Sequence, residues 1–277
     1  MSRRIRIPAL SVGVSVGVSV SLALGSLALA GCGSGSTATA SGSTPEPGSS
    51  SLAVTGTITV LAAASLQEAF TTLGKQFEAA HPGTTVRLSF GASSALALQI
   101  TEGAPADVFA SASAANMKQV TDAQDATQAV PFASNVMEIA VPPDNPAAIS
   151  NVDDLARAGI KIALCQPQVP CGSTARQVFA KAGITVAPVT LEADVKSTLA
   201  KVQTGEVDAG VVYVTDVRAA GTKVKGIEIP SQINASTSYP IATLSHASNA
   251  GGAQAFVDYV LSADGQAVLT ADGFAKP

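Results

Sequence analysis

An α/β fold with mainly parallel strand pairing is what this sequence predicts, on three observations. Ile58–Phe70, ITVLAAASLQEAF, reads as a buried strand that passes through small residues into a helix. The same device recurs over Thr85–Ile100, as TVRLSF, GASS and ALALQI. A further series of strand–helix alternations fills Ile160–Val214. Strands that alternate with helices are joined by crossovers, which favours parallel pairing. No short fixed period repeats, so a solenoid is excluded.

In the first unit, Ile58, Val60 and Leu61 make the apolar run and Ala62–Ala64 allow a tight turn. Ser65 and Glu68 have the spacing of a capping box, which predicts a helix beginning at Ser65. Such a junction presents free N–H groups and a hydroxyl at the sheet's carboxyl edge, where open α/β sheets bind ligands and anions especially. Thr85–Phe90 is the second strand, with a helix from Ser93-Ser94 to near Gly103. Ala106–Ala110 is a third strand and Ala114–Val120 a helix. Val136–Val141 is a strand ended by Pro142-Pro143, and Val152–Ala158 a short helix. Ile160–Leu164 precedes a helix opened by Pro170-Cys171-Gly172-Ser173. Thr190–Val195 leads into a helix with Val195, Leu199 and Val202 on one face. Ala209–Val214 is a buried strand, polar only at Tyr213. Tyr239–Leu244 is the last strand, followed by helices at Ala253–Leu261 and Gly265–Thr270.

The chain opens with Arg3, Arg4 and Arg6, an apolar stretch over Pro8–Ala30, and Leu29-Ala30-Gly31-Cys32. This order reads as a signal peptide over residues 1–31. The LAGC ending resembles a bacterial lipobox, which implies cleavage before Cys32 and lipid on its sulfur. The expected product is exported and anchored on the outer face of the cytoplasmic membrane. Residues 32–56 then form a Gly/Ser/Thr/Pro-rich tether. Loss of the three leader arginines takes the net charge from −4 to −7, and no Lys/Arg-rich block remains. Nucleic acid is therefore excluded as a partner. With 4% aromatic residues and no Trp, an aromatic-lined sugar groove is excluded too. Once Cys32 carries lipid, Cys165 and Cys171 remain as a pair in an oxidising compartment and are expected to form a disulfide.

Four helix starts converge on one kind of chemistry: Ser65, Ser93/Ser94, Cys171/Gly172 and Val195 each bring unpaired N–H groups to a sheet edge. Basic residues are nearly absent there, Lys196 excepted. Asp194 is expected to cap its own helix and point away. Asp107 reads as a structural hydrogen-bond acceptor, and His81 and His246 as surface residues.

These segments carry a resemblance. AAASL at Ala62–Leu66, FGASSALALQI at Phe90–Ile100, GAPADVFASA at Gly103–Ala112, VPCG at Val169–Gly172, ADVKSTLAKV at Ala193–Val202 and GVVY at Gly210–Tyr213 occur in order. Together they resemble the periplasmic molybdate-binding proteins of ABC transporters, from Thr57 to Phe274. The resemblance implies a tetrahedral oxyanion, molybdate or tungstate, held by two serine hydroxyls, backbone N–H groups and a tyrosine hydroxyl. By motif match these are Ser65 and Ser93, with Ser94 the alternative for the second hydroxyl, then Cys171 and Val195 as backbone donors and Tyr213 as the phenol. Gly91-Ala92 departs from the family's usual Ala-Ser, and Cys171 from a small residue. The resemblance further implies a two-lobed, type II periplasmic-binding-protein fold, each lobe a mostly parallel mixed sheet flanked by helices. Lobe one would comprise 57–134 and 240–277, and lobe two 135–239. It implies a monomer that serves a membrane permease, with no cofactor, no free metal cation and no enzymatic activity. Two alternatives stay open: a binding protein for sulfate or phosphate, and a secreted serine hydrolase. The hydrolase is disfavoured because Gly91-Ala92-Ser93-Ser94-Ala95 lacks the second glycine of a nucleophile elbow.

Overall fold

The computed structural model describes residues 54–277 except Thr127. The signal peptide, Cys32 and most of the tether lie outside the described residues. In chain order the elements are β1 (Gly56–Ala63), α1 (Gln67–Ala80), β2 (Thr84–Gly91), α2 (Ser93–Thr101), β3 (Val108–Ala110), α3 (Ala114–Asp122) and β4 (Val130–Val141). There follow β5 (Ile162–Cys165), α4 (Pro170–Ala182), β6 (Thr190–Glu192), α5 (Val195–Gln203), β7 (Ala209–Tyr213) and α6 (Val214–Ala220). The chain ends with β8 (Lys225–Glu228), β9 (Ser236–Thr243), α7 (Ala250–Leu261) and α8 (Ala263–Ala271). No helix among the described residues is long and apolar enough to cross a membrane.

The strands run in the order β2-β1-β3-β9-β4-β7-β5-β6, with β8 also paired to β4. Two parallel groups flank a pair of long connecting strands. β1 pairs in parallel with β2 and β3, and β5 with β6 and β7. Among the described residues, every antiparallel pairing between two of these strands involves β4 or β9. β4 changes partner midway: Val130–Val136 pair with β9, whereas Met137–Ala140 pair with β7. The sheet is thus continuous but bends from one half to the other along β4 and β9.

Each half has its own apolar core, as two lobes joined by strands require. In the first, Ile58, Val60 and Ala62 of β1 point to one face, with Phe70, Leu73 and Phe77 of α1. Leu61 points to the other, beside Leu96, Ile100 and Phe109. That is the period-2 alternation of a strand covered on both sides. Phe256 of α7 meets Phe70 and Phe77 edge-on, with ring centroids 6.1 and 5.3 Å apart. The second core joins Ile139, Val141, Val178, Leu199, Val202, Val211 and Val212. Asp107 is buried and accepts from the Thr59 and Asn249 N–H groups and the Ser248 hydroxyl, tying β1 to the start of α7.

Three local expectations change. Ser65 does not cap α1: Ala64–Leu66 form a single 3-10 turn and α1 begins at Gln67 without a side-chain cap. The hydroxyl and the Glu68 carboxylate are both taken by distant partners, which local spacing cannot foresee. β4 begins six residues before the expected Val136, because its N-terminal half is held by β9 rather than by its own apolar pattern. β8 and α6 were not expected; β8 is short, partly exposed and polar at both ends.

The turn Val169–Gly172 is fixed by two local constraints. Cys165 at the end of β5 is disulfide-bonded to Cys171 in the first turn of α4. A Cβ on Gly172 would lie 2.1 Å from the Gln166 carbonyl oxygen and 2.7 Å from that of Cys165. Glycine is therefore required for α4 to start so close to the strand. Gly172→Ala should lower stability by about 1–3 kcal/mol, as overpacking against backbone does. Equilibrium urea denaturation checks this; an unchanged midpoint would show that the turn relaxes freely.

Candidate functional site

A small cavity, with about 20 Å³ of room for the centre of a water-sized sphere, lies between the two halves at the carboxyl ends of the strands. Its wall comes from the junctions singled out in the sequence: Ser65 after β1, Ser93 after β2, Cys171 at the start of α4, Val195 at the start of α5, and Tyr213 ending β7. The structure brings all five together. Ser94 is half-buried and does not line the cavity.

The backbone contribution follows from where the helices begin. Pro170 occupies the first helical position of α4 and has no N–H, so Cys171 supplies the first free one. Val195 is the first residue of α5, whose N-cap Asp194 accepts from the Ser197 N–H at 2.8 Å. Asp194 lines the cavity, but its carboxylate is engaged by its own helix as expected. No Lys or Arg lines the cavity.

The three hydroxyls are ordered as donors. The Ala112 N–H donates to Ser93 Oγ at 2.9 Å, so the Ser93 proton is free to point elsewhere. Ser65 Oγ lies 2.9 Å from the hydroxyl of buried Tyr239. The other neighbour of that phenol is Asn135 Nδ2, at 3.5 Å, which can only donate. Tyr239 is therefore placed to give its proton to Ser65, which leaves the Ser65 proton available to the cavity. Tyr213 is 1% exposed, and its hydroxyl makes no well-formed hydrogen bond among the described residues, the Thr174 hydroxyl being close enough only for a weak one. A buried hydroxyl so poorly paired is costly and calls for a ligand atom. Burial pushes both phenols above the usual tyrosine range, so they stay protonated donors at neutral pH.

Tyr239 and Asn135 escaped the sequence reading. Tyr239 begins an expected strand, and nothing local marks its hydroxyl as special. Behind the cavity lies a charged group that also escaped it. Lys196 Nζ sits 2.7 Å from Glu68 Oε2 and 3.1 Å from Asp216 Oδ1. The other Asp216 oxygen accepts the Tyr213 N–H at 3.1 Å. Neither histidine lines the cavity, and no group of three His, Cys, Asp or Glu side chains among the described residues could hold a metal ion.

With this geometry in place, comparison with known proteins is informative. Residues 58–275 match the family model of bacterial extracellular solute-binding proteins. The chain belongs to that family. This solute-binding protein is 45% identical over 222 residues to the molybdate-binding protein ModA of Mycobacterium tuberculosis, covering 80% of this chain and 85% of the relative. Its fold matches the periplasmic molybdate-binding protein of Azotobacter vinelandii with a TM-score of 0.71 at 20% identity, covering 79% and 99% of the two chains. It also matches the sulfate-binding protein SubI of Mycobacterium tuberculosis with a TM-score of 0.72 at 20% identity, covering 79% and 86%. These likenesses establish the two-lobed, type II periplasmic-binding-protein fold.

Asp216 is fully buried, and its carboxyl is pushed up to about 6; burial raises it, and Lys196 only partly offsets this. Because the folded-state value lies above that of an unfolded aspartate, the group favours folding most below the unfolded pKa. That contribution is lost as pH rises through about 6. Asp216→Asn should therefore gain stability relative to the wild type as pH is raised from 4.5 to 7.5. A stability difference that does not vary with pH in urea denaturation would show that Asp216 does not titrate in this range.

Proposed function

We propose that this protein captures molybdate outside the cytoplasmic membrane and delivers it to the permease of an ABC importer, working as a monomer. The 45% identity to a molybdate-binding protein over four-fifths of the chain supports the ligand. The observation that carries the chemistry is the set of hydroxyls gathered on the cavity wall with no Lys or Arg beside them: Ser65, Ser93 and Tyr213. We assign these, with the N–H groups of Cys171 and Val195, as the ligands of a tetrahedral dianion, with no cofactor and no free metal cation. Hydrogen bonds to a charged group contribute about 1.5–3 kcal/mol each, so several, with the helix dipoles, hold the ion without a cation.

Fixed neutral donors measure where the oxygens are, so selectivity follows oxyanion size. Tungstate should compete with molybdate almost equally, and smaller sulfate should not reach every donor. Hydrogen phosphate would need an acceptor for its proton; Asp194 is the one carboxylate among the described residues on the cavity wall, and its Oδ1 already accepts the Ser197 N–H. The lobes are taken as 57–134 with 240–277, and 135–239, closing by hinge motion where β4 and β9 cross.

Calorimetry on the mature chain tests the ligand set. Ser65→Ala and Tyr213→Phe should each weaken molybdate about ten- to a hundredfold, equivalent to about 1.4–2.8 kcal/mol. Tyr239→Phe should cause a smaller loss, since it disorders the Ser65 proton without removing a ligand. Sulfate binding as tightly as molybdate would favour the sulfate reading that SubI's likeness keeps in view.

We further propose that the LAGC sequence at Leu29–Cys32 directs lipid attachment to Cys32, which anchors the protein at the membrane's outer face. Cys32→Ala should move it out of the membrane fraction or leave an unprocessed precursor. A wild-type protein found free in the medium without lipid mass would overturn the anchor.

A further inference from the structure

The charged group behind the cavity has a position that the capture of an anion does not itself explain. Lys196 reaches from α5, in the second lobe, to Glu68 on α1, in the first, with both carboxylate oxygens within 2.9 Å. In its own lobe it meets Asp216, which is fully buried. Its side chain is only 20% exposed. Each of the three lies within three residues of a proposed ligand: Glu68 after Ser65, Lys196 after Val195, and Asp216 after Tyr213. Asp216 also holds the backbone N–H of Tyr213. We propose that Lys196 is a positioning residue that latches the two lobes shut over the occupied cleft and so sets how slowly the anion leaves.

The physical argument is one of competing partners. In an open cleft Glu68 would be solvated, and Lys196 would keep Asp216 alone. On closure Lys196 gains a second carboxylate in a partly water-excluded place, where ion pairs are worth more than at a free surface. Burial disfavours the ammonium, but Asp216 and Glu68 more than offset this and hold Lys196 above its ordinary value. It therefore stays charged at any physiological pH. Asp272 and Arg218 also bear on this cluster: Arg218 and Asp272 line a neighbouring cleft with Glu68, and burial raises the Asp272 carboxyl. Neither forms an ion pair with Lys196. The cation is placed where it can tie the lobes together without touching the anion, so it does not loosen the size discrimination of the neutral donors.

This inference rests on the proposed reading of the cavity as a closing anion site, and its test separates the two. Hydrogen exchange of the mature chain, without ligand and with molybdate, would be followed for wild type, Lys196→Met, Glu68→Gln and Lys196→Arg. Exchange in two cleft segments, the amides of Gly91–Ser93 and those of Val169 and Cys171, should speed up severalfold in Lys196→Met and Glu68→Gln, and return towards wild type in Lys196→Arg. These residues line the cavity from elements other than α5 and α1, so a merely local role would leave them unchanged. Molybdate dissociation measured by stopped flow should accelerate about tenfold in Lys196→Met, with the association rate nearly constant. Glu68 is half-exposed, so Glu68→Gln decides the matter should Lys196→Met misfold. Unchanged exchange at both cleft segments in Glu68→Gln would overturn the latch. Faster exchange there in a protein that fails to bind molybdate would support the latch and overturn only the assigned ligand.

Discussion

Keeping cationic side chains off the wall of the cavity is the constraint on which the rest of this structure depends: among the described residues no Lys or Arg lines it. Its donors are neutral hydroxyls and the backbone N–H groups of helix starts. The fold meets this by gathering strand ends and helix starts at one cleft. Behind the serine oxygens stand the Ala112 N–H, which donates to Ser93, and the Tyr239 hydroxyl, which is hydrogen-bonded to Ser65. The rigid elements follow from the same need. Gly172 and the Cys165–Cys171 disulfide bring the start of α4 close against β5, and Asp194 holds the start of α5.

Charge is kept one layer out. Lys196, Glu68 and Asp216 are adjacent in sequence to the cavity residues yet stand behind them. The arrangement keeps neutral groups on the cavity wall and an ion pair bridging α5 and α1 behind it. β4 and β9 carry the connection between lobes as paired strands, so the sheet is continuous across them.

Much of the fold was legible because strands and helices announce themselves through local periodicity. β1, β2, β5 and β7 and the helices that follow the first three appear near their expected positions. The failures share a cause. Ser65 and Glu68 satisfy the spacing of a capping box, but their partners are Tyr239 and Lys196, 174 and 128 residues away. The first half of β4 has no strong apolar pattern and is held by β9, some hundred residues on. A short edge strand such as β8 depends on β4 for its existence.

The sequence by itself determined which junctions wall the cavity. Small residues after an apolar run, a proline at the first turn and an acidic N-cap are local hydrogen-bond geometry, readable without a fold. It also determined the disulfide, since two close cysteines in an exported chain have few other fates. Tertiary structure alone decided the partner of each serine hydroxyl, the choice of Ser93 over Ser94 as a cavity wall, and the bridge from Lys196 to Glu68. Those depend on which side chains meet after the sheet has bent along β4 and β9. No pattern of neighbours along the chain encodes such a meeting.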